Sequence, residues 1–190
     1  MHIAAGNGHV DVVNELVTRF PTLQDIPDSQ GRMPIHVASE HDQVNVVRYL
    51  LDKPCCLESR NSQNGETPYL TAAKYNSLQT INLLFQRSAN GLAVDSLGQS
   101  AVHLAAINGH LDVVKAVVGK YPQLATTRAT HGSLTPYDLA VQHSHSNVAQ
   151  YLAAHGNQPQ YRHQQQQQKS NNDYLNVATN NIGHMFFHQG

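Results

Sequence analysis

Residues 100–118 read SAVHLAAINGHLDVVKAVV, and this stretch decides the fold. Ser100 can cap a helix, and the apolar segment after it ends at Gly109, which adopts a left-handed conformation at low cost. Beyond the glycine, apolar residues recur at helical period on one face: Val113, Val114, Val117 and Val118. The stretch therefore predicts two short antiparallel helices, neither of which buries its apolar face alone.

The same unit recurs through most of the chain. With His103 as the reference, the equivalent slots hold His2, His36, Leu70 and Asp138. Successive slots are separated by 34, 34, 33 and 35 residues (36−2, 70−36, 103−70 and 138−103). A period this steady predicts a solenoid of stacked supersecondary units.

These units resemble the ankyrin repeat. The Thr-Pro-Leu-His-x-Ala-Ala signature of that family appears as MPIHVAS, TPYLTAA, SAVHLAA and TPYDLAV, and its Gly-His turn as Gly8-His9 and Gly109-His110. The resemblance implies an all-α ankyrin-repeat solenoid of stacked helix-turn-helix units with projecting hairpin loops. We expect the repeat domain over residues 1–155, with units at about 1–27, 28–61, 62–94, 95–129 and 130–155.

The composition changes in the tail, residues 156–190. A glutamine run occupies 164–168 and asparagines follow, so we expect this Gln/Asn-rich segment to be disordered or partly docked. Three apolar side chains near its end are the exception: Met185, Phe186 and Phe187. They either dock back on the final repeat or its groove, or form a short peptide that binds a partner.

Composition and charge exclude several classes of function. The formal net charge of −1 gives no electrostatic reason to expect nucleic-acid binding. The apolar runs are too short for a membrane span, and no usual secretory signal is present. Cys55 and Cys56 are neighbours and cannot build a disulfide framework, which favours a reducing, cytoplasmic compartment.

The thirteen histidines invite a metal or catalytic interpretation, but the resemblance assigns most of them to structure. Signature histidines hydrogen-bond to the backbone of their own and adjacent units, and others belong to the turn between helices: His2, His36, His103, His9 and His110. His143 and His145 are spaced i, i+2, whereas metal ligands on helices are usually i, i+3 or i, i+4. We predict no catalytic, metal or cofactor-binding residue, and no cofactor.

Two local departures from the pattern carry expectations. Met1 occupies the slot of the signature leucine, so either the natural protein continues upstream or the first unit frays. Apolar residues of this unit would then lack a neighbour on one side: Ile3, Val12, Val13 and Leu16. In the fifth unit Ser144 takes the slot of Gly109, and because serine is a poorer left-handed residue we expect a distorted turn there.

The function that remains is recognition of another protein. Ankyrin ligands usually lie along the hairpin tips and the exposed inner side of the first helices. Carried over slot by slot, the resemblance predicts these partner-contacting residues: Gln30, Arg32, Glu40, His41, Asn64, Glu66, Lys74, Tyr75, Leu97, Gln99, Ile107, Asn108, Gln142 and His143.

Apolar residues in these slots are informative because nothing in the fold requires them there. They form a predicted apolar centre: Tyr75, Leu97, Ile107 and, in the fifth unit, Leu134. Charged residues would form its rim, as in a protein interface: Arg32, Glu66 and Lys74. The alternative is that these are scattered surface apolar residues, which are normal in soluble proteins.

We therefore interpret the chain as a non-enzymatic, monomeric module that binds a partner protein, and not nucleic acid or a membrane. Two alternatives stay open. The repeats could recruit substrates for an enzymatic domain upstream of Met1, or belong to a secreted bacterial ankyrin effector that acts in the host cytosol. The high Asn, Gln and His content fits an effector and equally fits an organism with an Asn/Gln-rich proteome.

Overall fold

The computed structural model describes residues 1–52, 57–130 and 132–156. Within these ranges the chain forms ten α-helices: α1 His2–Gly6, α2 Val10–Arg19, α3 Pro34–Glu40, α4 Val44–Leu51, α5 Pro68–Lys74, α6 Leu78–Gln86, α7 Ala101–Ile107, α8 Leu111–Lys120, α9 Pro136–Gln142 and α10 Ser146–Gly156. Two 3₁₀ segments follow outer helices: Pro21–Asp25 and Pro122–Ala125. The expectations for Cys55, Cys56 and the tail beyond Gly156 lie outside the described residues.

The helices form two layers, which confirms the all-α repeat solenoid. The first helices of the pairs, α1, α3, α5, α7 and α9, pack side by side in that order and form the inner layer. The outer layer is formed by α2, α4, α6 and α8, which also pack in order. The repeats form one compact unit, Met1–Ala153.

Helix starts follow the signature. The Oγ1 of Thr67 accepts a hydrogen bond from the N–H of Leu70 at 3.3 Å and so caps α5. At α9, Thr135 and Asp138 form a capping box, in which the Asp138 carboxylate accepts from the Thr135 N–H at 2.9 Å. Proline occupies the first helical position of α3, α5 and α9, where its missing N–H costs nothing. Sequence alone predicts these starts correctly.

The turn inside each pair is uniform, including the fifth. Gly109 has φ +74°, and Asp42, Asn76 and Ser144 have φ +52°, +63° and +63°. The expected distortion at Ser144 is therefore wrong: α10 begins two residues later, as α4, α6 and α8 do after their own turns. The His145 N–H bonds the Ala140 carbonyl at 2.8 Å, which holds the turn in the common geometry.

The hairpins that project from the inner layer are bonded to one another in series. The Ser62 N–H donates to the Gly31 carbonyl at 3.0 Å, and the Ser96 N–H donates to the Asn64 carbonyl at 2.9 Å. Glycine is required at Gly31, where φ is +72° and a Cβ would lie 2.1 Å from the Ser62 Oγ. These bonds fix the spacing of the hairpin tips from unit to unit.

The first unit is folded, and its apolar residues differ in exposure. Ile3 is 81% exposed and Val12 is also exposed, as expected for residues without a neighbour on one side. The same expectation is wrong for Val13, which is completely buried because it belongs to the core cluster that continues into the second pair. No helix in the described ranges is long and apolar enough to cross a membrane.

Candidate functional site

Two slots recur at fixed places on the inner layer of units two to five. One precedes the N-cap of the first helix, and the other, eight residues later, is the last residue of that helix. We call these eight residues the inner-face grid: Arg32 and Glu40, Glu66 and Lys74, Gln99 and Ile107, Leu134 and Gln142. Because α3, α5, α7 and α9 pack side by side, the slots form two rows that cross the units.

Direct contacts show that the two slots of one unit adjoin. The Arg32 Nη1 lies 2.5 Å from the Glu40 Oε2, and the Lys74 Nζ lies 2.9 Å from the Glu66 Oε1. Seven of the fourteen predicted contact residues belong to this grid, which Leu134 completes. The geometry thus brings together residues that sequence reasoning chose one by one.

The second unit contains a cation held by two carboxylates. Besides Glu40, Asp28 binds Arg32, with its Oδ2 at 2.9 Å from Nε and 2.8 Å from Nη2. Burial would raise the pKa of Asp28, but hydrogen bonds from Arg32 and Gln30 outweigh it and hold that pKa below its usual value. Burial would likewise lower the pKa of Arg32, whereas the two carboxylates raise it.

Asp28 is not among the contact residues predicted from the sequence, and it also organises its own turn. Its Oδ1 accepts the backbone N–H groups of Gln30 and Arg32, both at 2.9 Å. Asp95 repeats this pattern in the fourth unit, where its Oδ1 accepts from Leu97 and Gln99. The recurring Asp-x-x-Gly turn, with a cation directly after the glycine in the second unit, was the available signal.

Glu66 in the third unit does not occupy the expected rim position. Its side chain is only 4% exposed, and its carboxylate accepts from Asn64 Nδ2 at 2.7 Å, Thr71 Oγ1 at 3.5 Å and Lys74 Nζ at 2.9 Å. Burial would lower the pKa of Lys74, but Glu66 and, more weakly, Glu40 of the neighbouring unit raise it. The expectation of a solvent-facing carboxylate is corrected: Glu66 is already satisfied by its own chain.

Units four and five carry no charge in the grid. Gln99, Ile107, Leu134 and Gln142 fill the slots that hold charged residues in units two and three. Ile107 and Leu134 are half-buried, whereas the hairpin-tip residue Leu97 is 47% exposed. The predicted apolar centre is therefore accessible in this half of the face.

The other predicted residues lie at the two margins of the grid. Three occupy the hairpins: Gln30, Asn64 and Leu97. Four are the exposed C-cap residues of the inner helices: His41, Tyr75, Asn108 and His143. Tyr75 is 45% exposed, with the Lys74 Nζ 5.7 Å from its ring centroid, and Asn108 donates to the Leu104 carbonyl at 2.8 Å.

Histidines fix the backbone of the grid from the adjacent units. Nε2–carbonyl distances are near 3 Å in four cases: His2 to Arg32 (2.9 Å), His36 to Glu66 (3.0 Å), His110 to Lys74 (2.9 Å) and His145 to Ile107 (2.9 Å). At Gly109, a Cβ would lie 2.5 Å from the His145 Nδ1, so glycine permits this approach. His145, one of the two candidate metal ligands, thus has a structural hydrogen bond. The absence of a metal site stays a prediction.

The buried signature histidines His36 and His103 are neutral and accept a backbone N–H at Nδ1. The Met33 N–H donates to the His36 Nδ1 at 3.2 Å, and the Ser100 N–H does the same to His103. Burial is the main cause that lowers the pKa of His36 and of His103, although nearby backbone carbonyls act in the opposite direction. Both rings therefore stay uncharged at neutral pH, as the structural interpretation of these residues requires.

Stacked helix pairs with a uniform turn and an inner face of recurring slots define a helical-repeat solenoid. The family model for ankyrin repeats (3 copies) matches residues 1–60, 55–128 and 90–163. The chain belongs to the ankyrin-repeat family, whose repeats are generally protein–protein interaction modules and typically non-catalytic. A comparison with curated proteins found no match.

Proposed function

We propose that this chain is a non-enzymatic module that binds a partner protein through its hairpin tips and inner face. The observation that carries the proposal is the exposure of four apolar residues on the inner face: Leu97 and Tyr75 are exposed at the margins of the grid, and Ile107 and Leu134 are half-buried within it. An accessible apolar centre in a polar surround is the usual anatomy of a protein interface.

Rigidity of the face supports the same function. Hairpin tips are bonded in series, and histidine side chains hold the carbonyls of several grid residues. A surface whose backbone is already fixed loses little conformational entropy when a ligand binds, which leaves more of the contact energy for affinity.

The charged residues of the inner face do not favour nucleic acid as the partner. Arg32 and Lys74, the two cations of the inner-face grid, are paired with carboxylates of the same chain. Nucleic-acid binding depends on cations that are free to contact phosphates. We also propose that the protein acts as a monomer and in a cytoplasmic compartment. The proposed compartment rests on cysteine usage, since two neighbouring cysteines build no disulfide framework.

The experiment is an affinity pull-down with the full chain, read by mass spectrometry. A triple variant, Tyr75→Ala, Leu97→Ser and Ile107→Asn, removes the apolar centre. A matched control carries three substitutions of exposed residues on the outer helices: Asn45→Ala, Asn82→Ala and Lys115→Ala. Circular dichroism and thermal melts establish that both variants are folded.

We expect a partner that the wild type and the outer-layer control retain and the folded triple variant loses. A partner that all three proteins retain would refute the assignment of the inner face. A partner lost only by the outer-layer control would place binding on the opposite side of the solenoid.

A further inference from the structure

We propose that the partner presents an uncharged, apolar segment that docks across units four and five of the inner-face grid. This inference rests on the proposed function and specifies the chemistry of the partner. Its contact centre is formed by Ile107, Leu134 and the hairpin-tip residue Leu97.

The charged half of the grid, in units two and three, is already neutralised by internal ion pairs. Arg32 is bound by Asp28 and Glu40, and Lys74 by Glu66. The side chains of Arg32 and Lys74 are 24% and 31% exposed, and their carboxylate partners are still more covered. A charged group of the partner would have to displace one of these ion pairs and lose its own hydration. The desolvation free energy lost would exceed the electrostatic free energy gained from the new pair.

The charges of this half also alternate in sign across the face. The order of charge reverses between units: the hairpin slot holds Arg32 and then Glu66, and the helix-end slot holds Glu40 and then Lys74. Glu40 is near enough to Lys74 to contribute to its raised pKa. Alternating signs cancel at a distance, so this half of the face offers no single-sign field that would steer a charged ligand.

The other half of the grid, in units four and five, offers apolar surface in the same slots. Ile107 replaces a charged helix-end residue, and Leu134 replaces a charged hairpin residue. Both are held in place: the Ile107 carbonyl accepts from His145 at 2.9 Å, and the Leu134 carbonyl accepts from the Ala129 N–H at 3.0 Å. Ile107 and Leu134 thus combine a fixed backbone with an uncharged side chain, in slots that hold charged residues in units two and three.

Complementarity then specifies the occupant. A charge placed over Ile107 and Leu134 would lose water, and the cation of this hairpin, Arg128, already donates to the Ser133 carbonyl at 2.7 Å. An aliphatic or aromatic side chain would instead gain from burial. The amides of Gln99 and Gln142 flank this area and can donate to and accept from a peptide backbone. The fitting ligand is therefore an uncharged segment with aliphatic or aromatic side chains at the contact.

The test uses the full chain as bait for a phage-displayed library of random peptides of about 12 residues, which reach about 40 Å when extended. The most enriched peptide is then synthesised and titrated by fluorescence polarisation. Two variants probe the contact separately, Leu134→Glu and Leu97→Glu, so that a single substitution that disturbs its hairpin does not decide the result. Asn82→Glu on α6 is the matched control, and melts verify that each variant is folded.

We expect enriched peptides rich in aliphatic and aromatic residues and depleted in charge relative to the unselected library. Their Kd should change less than about twofold between about 50 and about 500 mM NaCl, because no ion pair forms. Leu134→Glu and Leu97→Glu should each raise Kd by about tenfold, whereas Asn82→Glu should leave it unchanged.

Three outcomes would overturn the inference: charged enriched peptides whose affinity falls steeply with salt, binding that survives both glutamate variants, or no enrichment over a bait-free selection. In each case the pull-down still decides the proposed function, because a partner lost by the triple variant would show inner-face binding of different chemistry. Conversely, an apolar peptide could bind at Leu134 while the pull-down yields no partner that the triple variant loses. That result would support the apolar site and refute the proposed function.

Discussion

The two halves of the inner-face grid share a backbone and differ in chemistry. In units two and three the slots hold Arg32, Glu40, Glu66 and Lys74, joined in pairs within each unit. In units four and five the same slots hold only uncharged residues. The repeat therefore determines where a slot lies. The residue in that slot determines whether its side chain stabilises the solenoid or remains available to a ligand.

The largest expected effect is at Glu66. Glu66→Ala leaves the half-covered Lys74 ammonium and the Asn64 amide without their acceptor, and should lower the free energy of unfolding by about 3 kcal/mol. Gln99→Ala in the equivalent slot of the fourth unit should cost less than about 0.5 kcal/mol. Urea denaturation of both variants measures these free energies of unfolding. Equal losses would show that the two halves of the grid do not differ in their contribution to stability.

The signature histidines provide the next comparison. The His36 Nε2 lies 3.0 Å from the carbonyls of both Ser59 and Glu66. The His103 Nε2 is near the carbonyls of Leu134 and Thr127 but does not reach hydrogen-bond geometry with a described residue. We expect His36→Ala to destabilise by about 3 kcal/mol and His103→Ala by about 1 kcal/mol less, because fewer bonds are broken. A larger loss for His103→Ala in the same urea titration would contradict this ranking.

The same two histidines predict a dependence of stability on pH. Their folded pKa values lie below the 6.5 of the unfolded chain, so the unfolded state binds more protons as the pH falls. Their contribution is fully present above pH 6.5 and is lost as the pH falls through 6.5 toward the folded values, by up to about 1.4 kcal/mol per pH unit for each ring.

Urea unfolding at several pH values from neutral to mildly acidic measures this slope. His110, whose pKa is also lowered mainly by burial, adds to the total, so the informative comparison is between variants. The double variant His36→Gln and His103→Gln should show a smaller slope than the wild type. An unchanged slope would mean that these rings do not remain neutral in the folded protein.

A smaller effect is expected for the Arg32–Glu40 pair. The single variants Arg32→Gln and Glu40→Gln and the double variant form a cycle, for which we expect a coupling energy of about 1 kcal/mol that decreases with added salt. In Glu40→Gln, Asp28 remains bound to the Arg32 guanidinium, which limits the loss of stability. A coupling energy near zero would show that the ion pair between Arg32 and Glu40 does not contribute to the stability of the fold.

The smallest effect should come from an ion pair outside the grid. Arg19 and Glu15 are paired on α2, and their side chains are 69% and 59% exposed. Arg19→Ala should change stability by only about 0.3 kcal/mol, as is typical of exposed i, i+4 pairs. A loss as large as that at Glu66 would indicate that burial is not what distinguishes the grid pairs.

Most of the fold is predictable from the sequence because its determinants are local. The signature prolines and Thr67 specify helix starts, and the left-handed residues specify turns, so the five units and their period follow from the sequence. Ser144 shows the limit of this reasoning. Intrinsic preference indicates a distorted turn, whereas the hydrogen bonds of the repeat impose the common geometry.

The site is less predictable because it depends on side-chain contacts between distant slots. Sequence slots correctly place Arg32 and Lys74 on one face, but nothing in them shows that Glu66 is buried by the hydrogen bonds of its neighbours. Opposite charges spaced by eight residues, in both charged units, would have indicated the pairing. The residues that bind a partner stay a prediction.

The central claim is that a partner occupies the uncharged half of the inner face. Hydrogen–deuterium exchange of the full chain, with and without the bound partner or selected peptide, tests it most directly. We predict slower exchange in residues 95–109 and 133–143, with the outer helices α4 and α6 unchanged. Slower exchange confined to the outer helices, or to the charged slots of units two and three, would contradict the account.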